Sequence, residues 1–150
     1  MPYYYLNHRH RRIGDVIKPG SWGRAVLNDP GHRFWKMEQQ FELVRLGIDP
    51  DLPSRLNCNF LFDNYEMAIK FQKLQRQDDK LYEVIVLNEI VRIHIADMML
   101  VHPELERWNA QWGNPKLYWT SANITTTELR EILTISPIRI IRKINPGSMS

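Results

Sequence analysis

The sequence predicts an α+β domain whose sheet is antiparallel or mixed and is flanked by helices. Strand-like segments stand at both ends of the chain, two stretches between them carry helical periodicity, and a regular strand-helix alternation is absent. The 150 residues suit a single core, with one domain over residues 1–144 and a frayed tail at 145–150.

In chain order, Tyr3–Asn7 is aromatic and extended, and a charged run at 8–12 follows. Residues 13–17 then read as a strand and turn, stopped by Pro19-Gly20. Residues 21–33, which hold Gly23 and Gly31, read as a loop. Residues 34–46 place Phe34, Met37, Phe41, Val44 and Leu46 along one flank of a helix, with Gly47 as its cap. A turn at 49–54 and an extended stretch at 55–62 come next. Asp63-Asn64 supplies an N-cap for a helix over Tyr65–Gln75, with Tyr65, Ala68, Ile69 and Phe71 facing the core and Asp78-Asp79 beyond its end. Residues 81–87 form an almost wholly apolar strand, 91–95 a second strand, and 97–108 a helix. Residues 109–127 carry little periodicity and read as a long loop with one short element at 116–120. Two strands, at 131–135 and 137–144, close the domain.

Composition and motifs exclude several function classes. No apolar run approaches the ~20 residues of a bilayer span, and the N-terminus lacks the pattern of a secretory signal, so no membrane partner and a cytoplasmic setting are expected. The single Cys58 has no disulfide partner and no metal-ligand spacing, and reads as a small core residue. His8 and His10 share one face of an extended chain but sit among arginines, which repel a cation, so no metal site is expected. His94, between Ile93 and Ile95, faces water or is a satisfied core histidine. Glycine-rich nucleotide loops are absent. Charge is uneven: residues 1–24 hold five basic side chains against Asp15, and the remainder is slightly acidic. A basic end of this kind suits a nucleic acid, the phosphates of a cofactor or simple solvation.

Consecutive Tyr3, Tyr4 and Tyr5 put a ring on each side of a strand, with Arg9 and Arg12 close behind. Rings and guanidinium groups together suit a nucleotide, since bases stack and pyrophosphate takes bidentate hydrogen bonds. Trp108, Trp112 and Trp119 read as pins that hold a long loop to the core, whereas Trp22, next to a Pro-Gly turn and Arg24, is a site candidate.

The order of these features resembles the ADP-ribosyltransferase superfamily, and locally its rifampicin-modifying branch. Tyr4-Tyr5-Leu6-Asn7 and Ile13-Gly14-Asp15-Val16-Ile17 match the separation of that branch's Tyr-His-Gly-Thr strand and Ile-Gly-Asp-Leu-Ile turn. Phe60-Leu61-Phe62, Met67-Ala68-Ile69 and Leu81-Tyr82-Glu83-Val84 follow like its second motif, alanine-bearing helix and next strand. Glu131-Ile132-Leu133 and the alternating apolar and basic residues 137–144 look like the superfamily's catalytic glutamate and final strand. The family's first-motif histidine falls on Tyr5, which keeps a hydrogen-bonding group on a longer arm, and its second-motif tyrosine falls on Phe60, which keeps a stacking face.

The resemblance implies a split sheet with NAD, as substrate, in the cleft between its halves. It implies nicotinamide on Phe60 or Tyr65, pyrophosphate at Arg9 or Arg24, Tyr5 at the nicotinamide ribose, and Glu131 as the catalytic carboxylate, with Glu128 and Asp97 as second choices. ADP-ribose would pass to an acceptor that is a protein, a nucleic acid or a small molecule. The alternatives are a catalytically silent domain of the same fold that binds a nucleotide, nucleic acid or protein, and a basic nucleic-acid module whose affinity falls steeply with salt.

Overall fold

The structure, a computed structural model, describes residues 2–101, 114–120 and 129–145. The described elements run β1 Tyr3–Asn7, β2 Val16–Ile17, α1 Ser21–Leu27, α2 Trp35–Ile48, β3 Asn59–Leu61, α3 Tyr65–Gln75, β4 Lys80–Val86, β5 Ile93–Asp97, α4 Pro115–Thr120, β6 Arg130–Thr134 and β7 Ile138–Ile144. They form an α+β architecture with two sheets, one in the order β1-β4-β7-β2 and one in the order β3-β6-β5. Among the described residues every strand pairing is antiparallel, as in the antiparallel form of the expectation rather than the mixed one.

The sheets meet at two places. Tyr4 and Phe62 exchange backbone hydrogen bonds of 2.8 and 2.9 Å, which joins β1 to the end of β3. Buried Asn59 donates through Nδ2 to the carbonyls of Ile17 at 3.3 Å and Ser136 at 3.0 Å, tying β3 to β2 and to the link between β6 and β7. A buried amide satisfied in this way fixes where the sheets diverge, because breaking either bond leaves a polar group in the core.

Period-two alternation in β1 sends Tyr3 and Tyr5 to one side, against Ile17, Leu61, Tyr82 and Ile132, and Tyr4 to the other, where its ring meets Tyr65 edge-on at 5.8 Å. Helix α3 starts where the sequence predicts, since the Asn64 side chain accepts from the Met67 N–H at 3.0 Å. Ala68 and Phe71 are its buried residues, with Tyr65 and Ile69 half-buried at the rim of the same cluster. Helices α2 and α4 pack on the second sheet through Met37, Phe41, Tyr118, Trp119 and Leu133.

Several expectations are corrected. Part of the loop at 21–33 is helix α1, entered through Gly20 at φ 103. Gly23 is there for space rather than for a turn, because a Cβ at that position would stand 1.8 Å from the Leu56 carbonyl oxygen. Gly47 lies inside α2, which runs on to Ile48 and is capped at Asp49, and Leu46 faces solvent. The stretch at 55–62 is not extended throughout: Arg55–Asn57 forms a 3-10 turn, started by the Ser54 side chain accepting from Leu56 N–H. The strand expected at 91–95 begins two residues later, at Ile93, and runs to Asp97. The helix expected over 97–108 is a 3-10 turn at Met98–Leu100, and 102–108 lie outside the described residues. The short element near 116–120 is helix α4. Trp119 does pin that element, donating from its indole to the Phe41 carbonyl at 2.7 Å, whereas Trp108, Trp112 and the tail from 146 lie outside the described residues. Among the described residues no helix is long and apolar enough to cross a membrane.

Candidate functional site

A cleft of about 740 Å³ opens between the two sheets and is walled by β1, α1, the segment between α1 and α2, the 3-10 turn after α2, β3 and β6. Tyr5, Trp22, Phe60 and Glu131, all expected at a site, line it. Arg9, Arg24, Tyr65 and Asp97 do not. Arg9 is exposed, with its backbone N–H on Asn7 Oδ1 at 2.8 Å. Arg24 is exposed and donates to the Pro19 carbonyl at 3.5 Å. Tyr65 is turned to Tyr4 on the far side of β1, and Asp97 starts the 3-10 turn by accepting from Met99 N–H at 2.9 Å. Glu128 lies outside the described residues. The arginines along the cleft are Arg33, Arg55 and Arg76 instead.

Arg55 is the hub of the cleft's base and is itself buried. Its Nε donates to both oxygens of Glu38 at 2.9 and 3.1 Å and its Nη2 to Glu38 Oε2 at 3.0 Å. Its Nη1 donates to Tyr118 Oη at 2.7 Å and to Glu131 Oε1, and Tyr118 Oη in turn donates to the same Glu131 oxygen at 2.7 Å. Arg55 is held well above its ordinary range: desolvation, the largest single influence, opposes this, and the carboxylates of Glu38 and Glu131 and the Tyr118 hydroxyl outweigh it. Burial raises the Tyr118 phenol well above its usual value, so it stays a donor.

Glu131 is buried, yet only one of its oxygens is occupied. Oε2 accepts no hydrogen bond from the described residues, and Glu131 is one of the residues that line the cleft. Phe60, half-buried on β3, sits with its ring centroid 4.9 Å from the Arg55 guanidinium carbon. Tyr5 is packed in the core by its ring, and its hydroxyl accepts from Asn7 Nδ2 at 3.0 Å. Burial raises its phenol, with the Asn7 hydrogen bond acting in the opposite sense.

At the mouth, the Trp22 indole donates to Glu38 Oε2 at 2.7 Å while its ring meets His32 edge-on at 5.3 Å and lies 6.0 Å from Phe34. All three rings line the cleft. Two other groups are inert. Burial pushes the Cys58 thiol well up, keeping it protonated, and its sulfur points to the Arg55 carbonyl at 3.8 Å. His94 is a satisfied core histidine: Nε2 donates to the Tyr118 carbonyl at 2.8 Å, and burial lowers its pKa.

Glu38, Arg55 and Tyr118 were not expected from the sequence. The signal for Glu38 was available, because it stands four residues after Phe34 and three before Phe41, on the apolar flank of α2, where an unpaired carboxylate would be costly. Arg55 and Tyr118 carry no comparable local mark. Among the described residues no group of three or more His, Cys, Asp or Glu is placed to hold a metal ion.

Comparison with curated proteins finds no match. The family described as "Protein of unknown function (DUF2441)" matches residues 26–146, most of the length including β3, β6 and the Glu38–Arg55–Glu131 group, and the chain belongs to that family.

Proposed function

We propose that the cleft binds NAD and that Glu131 assists cleavage of its nicotinamide–ribose bond, with ADP-ribose passing to an acceptor. One observation carries this reading: Tyr5, Phe60 and Glu131, which stand on three strands far apart in the chain and fall at the three motif positions of the ADP-ribosyltransferase resemblance, line the same cleft. As the glycosidic bond breaks, its electron pair leaves with nicotinamide and positive charge builds on the ribose. The acceptor's nucleophile then bonds to the ribose carbon and loses its proton. A fixed carboxylate oxygen such as Glu131 Oε2 stabilises that charge more in the transition state than before it, and Arg55 and Tyr118 hold the other oxygen still. Phe60 supplies a stacking face, and the arginines that line the cleft with Arg55 are Arg33 and Arg76, the latter paired with Asp79 at 3.8 Å, rather than Arg9 or Arg24.

The Tyr5 hydroxyl favours a second reading. It stands where the ADP-ribosyltransferase superfamily has histidine and is already engaged by Asn7, so a domain that binds NAD without cleaving it is the alternative. Nicotinamide release from NAD by the purified protein, with and without cell lysate as a source of acceptor, separates the two. Release supports the transferase, binding without release supports the silent domain, and neither binding nor release removes both.

A further inference from the structure

Residues 8–12 form a basic arch between β1 and β2 whose backbone is tied down while its side chains are not. The Tyr82 hydroxyl accepts from the Arg11 N–H at 2.8 Å and donates to the Arg9 carbonyl at 3.2 Å. The Lys80 ammonium donates to the His8 carbonyl at 3.1 Å, and the Arg12 N–H donates to Asp15 Oδ2 at 2.8 Å. His8, Arg9, His10 and Arg12 are exposed, and Arg11 is half-buried. Antiparallel register sets exposed Lys143 opposite Tyr82, which adds a further cation beside the arch.

The arginines of the arch lack the partners that arginines elsewhere in the chain have. Arg45, Arg55, Arg92 and Arg130 each sit on a carboxylate, whereas Arg9, Arg11 and Arg12 form no ion pair among the described residues. Arg11 Nε is also a buried donor with no hydrogen-bond partner among the described residues. A buried N–H left in that state is costly, and an oxygen brought from outside would complete it. Three unpaired guanidinium groups within residues 9–12, on a fixed backbone, suit a run of phosphates, since arginine meets phosphate oxygens with parallel hydrogen bonds.

The arch adjoins the cleft. Asn7 and His8, where the chain leaves β1, line it, as does Arg76. Arginine and aromatic side chains meet along its mouth: the Arg76 guanidinium carbon is 5.9 Å from the Trp22 ring centroid and that of Arg33 4.6 Å from the Phe34 ring centroid. Basic groups that follow a backbone beside a ring-lined cleft are the arrangement for a single-stranded nucleic acid, whose unpaired bases are free to turn inward. A duplex has first to unstack its bases to do the same. A membrane is a poorer partner, because the arch is not an amphipathic helix with an apolar face. We propose that residues 8–12, with Lys143, are a backbone-binding surface for single-stranded nucleic acid, whose bases turn toward the cleft. The surface does not depend on cleavage of NAD.

Fluorescence anisotropy of the whole chain with a labelled single-stranded oligonucleotide of mixed sequence, as DNA and as RNA, tests it across a salt series. The wild type binds at least one of the two strands, and the logarithm of its affinity falls against the logarithm of salt with a slope of about −2 or steeper, roughly −0.7 for each arginine. Arg9→Gln and Arg12→Gln, at exposed positions, each make the slope shallower by about 0.7. Lys116→Gln, which removes an exposed charge on α4, leaves it as it is. Failure of both strands to bind at low salt overturns the proposal and needs no variant to be folded. An unchanged slope in both arginine variants, each shown folded by its circular dichroism melt, also overturns it, as does an equal change in Lys116→Gln. So does binding of a duplex of the same length as tightly as the single strand, binding of anionic phospholipid vesicles in its place, or equal competition by polyglutamate. Nicotinamide release from NAD on the same samples keeps the two ideas apart: strand binding without release leaves this surface standing and removes the transferase, and release without strand binding does the reverse.

Discussion

Tyr118 Oη donates to Glu131 Oε1 at 2.7 Å and accepts from Arg55 Nη1 at the same distance, so one hydroxyl locks α4 to both halves of the buried ion pair. The contact spans a large stretch of chain: Arg55 lies 63 residues before Tyr118 in sequence. It makes α4 part of the site's framework.

Tyr118→Phe removes that hydroxyl and leaves a carboxylate and a guanidinium each short of a partner in a dry setting. The expected loss is about 1–3 kcal/mol of folding stability, the scale of a buried hydrogen bond to a charged group. Urea unfolding of variant and wild type measures it, and an unchanged midpoint would show that the bond contributes nothing.

Alkaline stability follows from the groups that burial keeps protonated. The Cys58 thiol is raised well above its ordinary value, mainly by desolvation, and the Tyr5 and Tyr118 phenols are raised for the same first reason. For such a group the stabilising contribution is complete below the unfolded-state value and is lost as pH rises toward the folded one. Folding stability therefore declines above about pH 8.5, where an unfolded cysteine begins to ionise. Cys58→Ala flattens the first part of that decline, before the tyrosines titrate. A chevron or urea series across this range reads the slope, and an identical slope in the variant contradicts the assignment.

Much of the fold was legible in the sequence. The tyrosine run of β1, the Asn64 cap of α3, the apolar run of β4 and the paired strands β6 and β7 are all specified by neighbours in the chain, through alternation or capping. Helix α1 was not, because Gly23 read as a loop former when its role is to let α1 approach the Leu56 backbone, a tertiary fact. The site divides in the same way. Tyr5, Phe60 and Glu131 were found through short motifs, but Arg55 reaches Glu38 across 17 residues and Glu131 across 76, and no local pattern announces such a hub. Arg9 and Arg24 do not line the cleft for a related reason: they belong to the basic N-terminal stretch by sequence, while the arginines along the cleft come from other segments.

Phe60 offers its ring to the cleft while packing at the edge of the core, so its removal has two separable effects. Phe60→Ala weakens NAD binding by roughly 1–3 kcal/mol, the scale of a base–aromatic stack, and Phe60→Tyr keeps it. Calorimetric titration with NAD on samples of checked melting temperature measures this. A folded Phe60→Ala protein with wild-type affinity would assign the ring to packing alone.

Tyr5 separates ring from hydroxyl. The ring is buried among Ile17, Leu61 and Tyr82, so Tyr5→Phe retains the fold, and the loss of one neutral hydrogen bond lowers NAD affinity by about 0.5–1.5 kcal/mol. Unchanged affinity means that the hydroxyl serves only Asn7.

The most direct test of the transferase reading is the rate of nicotinamide release from NAD by the wild type and by Glu131→Gln at saturating NAD. The account predicts release by the wild type and a fall of at least ~100-fold in kcat for the variant, as expected when a charge acts chiefly in the transition state. Affinity for NAD stays nearly unchanged, because the interaction is made mainly in the transition state. No release from the wild type with or without lysate, or turnover preserved in Glu131→Gln, would contradict it.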